Sequence, residues 1–241
     1  MAFLWSLIFV DPLIILSTIL CGLVSIGVSA FDKNGSRMLG VGRFWARSLL
    51  RIARVRVTVE GAEHIDPNTI YVFAGNHLSY MDTPVLLTHI SVPFRFMAKK
   101  GLFQIPFLGT HLIQAGHIPV SLEDPRAALK TLSRAAQTIR ERRTSVLIFP
   151  EGGRSEDGLL QPFKEGAAYV AIKAGVPLVP IALVGTREVL AMGSATFHAS
   201  PVVLRFGQPI SVAGLTLRDR EEVTEQAREQ VVQMLAIGAR P

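Results

Sequence analysis

One cysteine, Cys21, is all that the 241 residues carry, so no disulfide forms within the chain and no zinc site is built from cysteine pairs. Charge is missing altogether from Pro12 to Phe31. None of the six histidines pairs at a ligand spacing with supporting carboxylates, which argues against a resident metal. No Gly-x-Ser-x-Gly elbow occurs, and a serine hydrolase built on Ser79 or Ser155 is disfavoured for want of it. Repeats and low-complexity tracts are absent too, and no shift of composition divides the chain. One domain with an N-terminal appendage is therefore expected, divided as residues 1–53 and 54–241.

What is present is positive and greasy at once. Lys and Arg number 25 against 19 Asp and Glu, a net charge of +6, while 49% of residues are hydrophobic. That combination points to a membrane surface and away from nucleic acid, whose binders carry their charge without a long apolar segment. The uncharged stretch from Pro12 to Phe31 has the length of a helix that crosses a hydrocarbon core. Asp11-Pro12 predicts a helix cap and first helical position, leaving Phe3 to Val10 as a separate apolar piece. An interfacial Asp11 avoids the cost of about 2.5–3.5 kcal/mol for a carboxylate at mid-membrane. Val28-Ser29-Ala30 is compatible with signal-peptide cleavage, but no Lys or Arg precedes the run and the run is long.

Arg43, Arg47 and Arg51 then recur every four residues, with Val41, Trp45, Leu49 and Ile52 on neighbouring rows. This predicts an amphipathic helix that sinks its apolar side chains into a bilayer while the arginines reach head groups. The basic residues from Arg37 to Arg56 all follow the apolar run, which places the folded domain on the cytoplasmic side of a membrane, the inner membrane if the source is bacterial.

From Val55 the pattern alternates strands and helices. Strands are expected over Val55–Val59, Thr69–Phe73, Phe94–Ala98, Gly116–Val120, Val146–Phe149, Val176–Val184 and Val202–Phe206. Helices are expected after Pro84, over Pro125–Arg142, over Phe163–Ala174 with Gly175 closing it, and over Arg220–Ile237. The fold class is α/β, a mostly parallel twisted sheet flanked by helices, with an N-terminal membrane-binding helical segment.

Two strand ends carry polar turns. After the first buried strand come Asn76-His77-Leu78-Ser79-Tyr80-Met81-Asp82, and after Val146–Phe149 come Pro150-Glu151-Gly152-Gly153-Arg154-Ser155. A carboxylate five residues beyond a histidine reaches its ring across the turn, fixing a neutral imidazole as a general base. The glycines bring backbone N–H groups close to a ligand, and Arg154 offers a fork for phosphate.

Asn76-His77-x-x-x-x-Asp82 and Phe149-Pro150-Glu151-Gly152-Gly153-Arg154-Ser155 together resemble the paired signatures of the glycerolipid acyltransferases of lysophosphatidate type, over roughly residues 55 to 210. The resemblance implies that family's fold and transfer of a fatty acyl group from acyl-CoA or acyl-carrier protein to the sn-2 hydroxyl of 1-acylglycerol-3-phosphate, giving phosphatidic acid. It implies His77 and Asp82 as catalytic residues, with Asn76, Lys100, Glu151, Gly152, Gly153, Arg154 and Ser155 binding substrate. Glu151 would orient Arg154 or another group of the site. Membrane phospholipid, lysophosphatidate and the acyl donor are the implied partners, with no cofactor and no metal. The chain departs from the family pattern in having Gly153 where threonine is usual and Leu122 where an arginine is expected, with Arg126 four residues on as a possible substitute. Another lysolipid or lipid-like acceptor, or a catalytically silent lipid binder, is the alternative.

Overall fold

The apolar runs become the middle strands of one sheet in the computed structural model, which describes residues 2–32, 35–121 and 125–238. Leu122 lies outside the described residues. In chain order the elements are α1 (Ala2–Trp5), a π-helical turn (Ser6–Val10), α2 (Asp11–Ser29), α3 (Ser36–Ile52), β1 (Arg56–Glu60), β2 (Val72–Gly75), α4 (Asp82–His89), β3 (Phe94–Lys99), α5 (Leu108–Gln114) and β4 (Ile118–Val120). There follow α6 (Pro125–Arg142), β5 (Ser145–Ile148), α7 (Gly166–Ala174), β6 (Leu178–Val184), α8 (Thr186–Val189), β7 (Pro201–Phe206) and α9 (Arg220–Ala236).

The seven strands lie in the order β1-β7-β6-β2-β5-β3-β4. Every neighbouring pair is parallel except β6 with β7. The sheet is thus mostly parallel, as expected, and β6, β2, β5, β3 and β4 all end at one edge. Alternation along β2 shows why it is central: Phe73 joins a core with α3 and α4, while Val72 and Ala74 join a second core with α6, α7 and α9. Helices on both faces bury both sides of the parallel strands, which accounts for their near-continuous apolar sequence.

Local chemistry moves several boundaries. The Asp66 carboxylate accepts hydrogen bonds from Asn68 N and Thr69 Oγ1 at 2.9 and 3.0 Å. That turn keeps Thr69 out of the strand, so β2 starts at Val72. Helix α7 starts at Gly166 rather than Phe163, because Lys164 N donates to Pro150 O at 2.9 Å and pins the preceding residues beside the second polar turn.

At the N-terminus the expected break at Asp11 is replaced by continuous helical backbone, and Phe3–Ser29 forms one apolar helix of 27 residues. Pro12 has no N–H to give the preceding turn, and a π turn absorbs the defect, with Asp11 N bonded to Ser6 O. Polar side chains of this helix bond to other parts of the domain. Ser6 Oγ accepts from Phe197 N, Thr18 Oγ1 accepts from Trp45 Nε1, and Ser25 Oγ meets His111 Nδ1. The other side leaves Phe9, Ile15, Leu16, Ile19 and Leu23 about half exposed.

Helix α3 corrects a second expectation. Leu49 is buried against the domain and Trp45 is tied to α2, so these residues are not free to sink into a bilayer. Arg43 instead donates to the carbonyls of Ile90, Ser91 and Val92 at 2.7, 3.4 and 3.1 Å, closing the end of α4. Arg37, Arg47 and Arg51 stay exposed. Replacing Arg43 by Gln should therefore lower the unfolding free energy by about 1–3 kcal/mol in detergent, with Arg47→Gln within about 0.5 kcal/mol of wild type, as read from denaturant midpoints.

Candidate active site

The parallel sheet delivers both polar turns to one place. β2 and β5 are neighbours running the same way, in register Ala74 to Ile148, so the chain leaves both strands at the same edge. Asn76 fixes the exit from β2: its side-chain amide donates to Leu183 O at 2.9 Å and accepts from Leu183 N at 2.8 Å, copying a strand pairing with β6. It is fully buried, so its place is in the sheet and not against a substrate.

His77 is held on four sides. Its backbone N–H donates to Glu151 Oε1 at 2.6 Å, and its carbonyl accepts from Ser155 N at 2.9 Å. Its ring stacks on Phe149, with centroids 3.7 Å apart and planes 7° from parallel. Nδ1 lies 2.7 Å from Asp82 Oδ2. The same oxygen accepts from the backbone N–H groups of Leu78 and Ser79 at 2.7 and 2.9 Å, at the first residue of α4. Nδ1 therefore carries the proton as a third donor to Asp82, and the lone pair of Nε2 is left for a ligand. Asp82 Oδ1 is buried with no partner among the described residues.

Burial is the largest influence on His77 and pulls its pKa below the usual 6.5, with Arg154 adding to the fall and Asp82 opposing it. A neutral ring near neutral pH is the state a base requires. Burial pushes the Glu151 carboxyl up, against the hydrogen bonds from the N–H groups of Gln161 and His77, while Asp82 and Asp157 raise it further.

Of the two roles expected for Glu151, orienting Arg154 or another group of the site, its hydrogen bonds show the second. Its two oxygens tie His77 N to Gln161 N, at 2.6 and 2.8 Å, so it joins the two turns. Arg154 lies with its guanidinium 4.1 Å from the centre of the Tyr80 ring, and Nε donates to Ser79 O at 3.4 Å. Ser155 Oγ donates to Asp157 Oδ1 and accepts from Gly158 N, a role in the loop and not in ligand binding. Ser79 Oγ donates to Leu190 O at 2.6 Å, so neither serine is poised as a nucleophile.

Gly152 has φ +81°, and a methyl group built on it would come within 2.7 Å of Lys164 Nζ, whereas Gly153 faces open space. Lys164 thus places an ammonium over the Glu151-Gly152 turn, a position hidden when Phe163–Ala174 is read as one helix. The signal for it was Gly166, a weak helix interior residue and a common helix start. Lys100 begins a short 3-10 helix at the end of β3, two strands from β2, and is exposed without a hydrogen bond or ion pair among the described residues. Arg126 stands exposed on the first turn of α6. Among the described residues no group of three His, Cys, Asp or Glu side chains gathers as a metal site.

The His77 ring should titrate below 6.5 by NMR. Asp82→Asn removes the one influence that raises it, so the midpoint should fall further, while Arg154→Ala should raise it; an unchanged midpoint in both variants contradicts the geometry.

A family model described as Acyltransferase matches residues 56–184. Among curated relatives, a chloroplastic 1-acyl-sn-glycerol-3-phosphate acyltransferase of Brassica napus is 36% identical over 64% of this chain and 44% of its own length. A 1-acyl-sn-glycerol-3-phosphate acyltransferase of Chlamydomonas reinhardtii is 34% identical over 98% of this chain and 68% of its own length. The chain spans under half the length of the Brassica relative. The crystal structure of the 1-acyl-sn-glycerophosphate acyltransferase PlsC from Thermotoga maritima superposes with a TM-score of 0.80, covering 98% of both chains at 24% identity, and shares the fold.

Proposed function

Because the chain belongs to the Acyltransferase family, whose model matches more than half of it, we propose that it moves a fatty acyl group from acyl-CoA or acyl-carrier protein to the sn-2 hydroxyl of 1-acyl-sn-glycerol-3-phosphate, forming phosphatidic acid. The observation that carries this reading is the bare Nε2 of His77, backed by Asp82 and set on the same sheet edge as Arg154. The names of the relatives support the acceptor.

In this scheme the acceptor hydroxyl gives its proton to His77 Nε2 as its oxygen attacks the thioester carbonyl carbon. Asp82 stabilises the imidazolium that results. The tetrahedral adduct collapses, the carbon–sulfur bond breaks, and the leaving thiolate takes the proton back from Nε2. Transfer is direct, since the hydroxyls of Ser79 and Ser155 are both engaged elsewhere. Arg154 binds the acceptor phosphate, and Lys164 supplies a second positive charge beside Gly152.

Acceptor and product are both lipids, and the outer face of Phe3–Ser29 fits a bilayer location for the enzyme. The exposed Arg37, Arg47 and Arg51 favour docking on an anionic, cytoplasmic surface.

Purified protein in lipid nanodiscs, given palmitoyl-CoA or palmitoyl-carrier protein with lysophosphatidate, should form phosphatidate, and the better donor identifies the thioester used. His77→Ala should lose about 10²–10⁴ in rate. Arg154→Ala should raise the acceptor KM by about 10- to 100-fold, and Lys164→Met should raise it less. Wild-type protein that makes no phosphatidate overturns the acceptor assignment, and activity retained in His77→Ala overturns the base.

A further inference from the structure

A groove of about 380 Å³ lies between α2 and α3, on the outward side of the helix pair and outside the catalytic turns. Helix α2 contributes Leu20, Cys21 and Val24 to it, and α3 contributes Arg37, Gly40, Val41 and Phe44. The α3 residues recur at three and four positions, so they form one helical face with Gly40 in its middle. The groove is open at Gly40. A Cβ built there meets nothing within 4 Å, unlike Gly42 in the same helix, which sits close to His111 and Leu87. Glycine inside a helix is unfavourable, and no close packing at Gly40 accounts for it.

The lining is apolar apart from Arg37, which is exposed and has no hydrogen bond or ion pair among the described residues. Phe44, one turn beyond Gly40, is 62% exposed. On the α2 side the groove continues into the exposed apolar face formed by Leu16, Ile19, Leu20 and Leu23. A slot with greasy walls, open along a lipid-like face and carrying a cation, is complementary to a chain with an anionic head.

We propose that this groove is a binding site for an anionic bilayer phospholipid, one acyl chain lying over Gly40 between the helices and the phosphate meeting Arg37. The site rests on the reading that the outer face of α2 meets lipid, and it is distinct from the acceptor site at His77. Arg37 gives preference for a net negative head group over a zwitterionic one.

Cys21 lines the groove and is the chain's only cysteine, so it reports occupancy directly. The full chain in detergent micelles, supplemented with phosphatidylglycerol or phosphatidylcholine at equal mole fraction, is alkylated with a maleimide. Phosphatidylglycerol should slow alkylation about tenfold more than phosphatidylcholine, the preference given by one charge-assisted contact. Arg37→Gln should bring the two lipids level, and Gly40→Leu, which fills the slot, should abolish the slowing by either. Equal slowing by both lipids in wild type, no slowing by either, or a phosphatidylglycerol effect that persists in Gly40→Leu each overturns the proposal. Flotation with phosphatidylglycerol vesicles, run beside it, tests docking separately. Gly40→Leu should float like wild type, and failure of wild type to float counts against the membrane reading itself.

Discussion

One carboxylate oxygen sets the geometry of the sheet edge that carries His77. Asp82 Oδ2 receives the imidazole N–H of His77 together with the backbone N–H groups of Leu78 and Ser79, and it does so from the first turn of α4. A turn that converges on its own helix start in this way has little freedom left. The ring is fixed in plane by Phe149 and in height by Glu151, which ties the backbone of His77 to the second turn. Each contact is modest, and their common effect is to hold the ring in one orientation, with Nε2 unpartnered among the described residues.

The constellation was legible because its parts are local in sequence. A histidine and a carboxylate five residues apart at a strand end have few ways to avoid meeting, and a Gly-Gly-Arg turn after a buried strand advertises a ligand. Less legible was the division of labour. Asn76 and Ser155 look like ligand contacts in a motif, yet their side chains close on Leu183 and on Asp157. Those partners lie elsewhere in the chain or fold back through a loop, and periodicity carries no record of them. Lys164 was missed for the converse reason, since a single bond from its backbone to Pro150 O removes it from the helix that its neighbours suggest.

The sheet was legible from its apolar runs, and its antiparallel β6–β7 pair was not, because hydrophobicity does not encode strand direction. The N-terminal helices show a further limit. An amphipathic pattern states that one side is apolar but not what covers it. In α3 the covering is α2 and the domain, which leaves arginines outward and turns Arg43 into a cap for α4. The polar residues of the apolar helix Phe3–Ser29 are likewise explained by its neighbours in the protein, where Ser6, Thr18 and Ser25 find partners.

The pairing of Asn76 with Leu183 joins residues more than a hundred positions apart, and Glu151 reaches His77 across 74. Order of assembly follows from that. A growing chain presents His77 long before β5 and β6 exist to frame it, and parallel strands cannot pair until their crossovers are complete. The imidazole therefore gains its setting only once β5 and β6 have been made. A half-made chain on the ribosome already carries both members of the His77–Asp82 pair, but not yet the sheet that holds them in place.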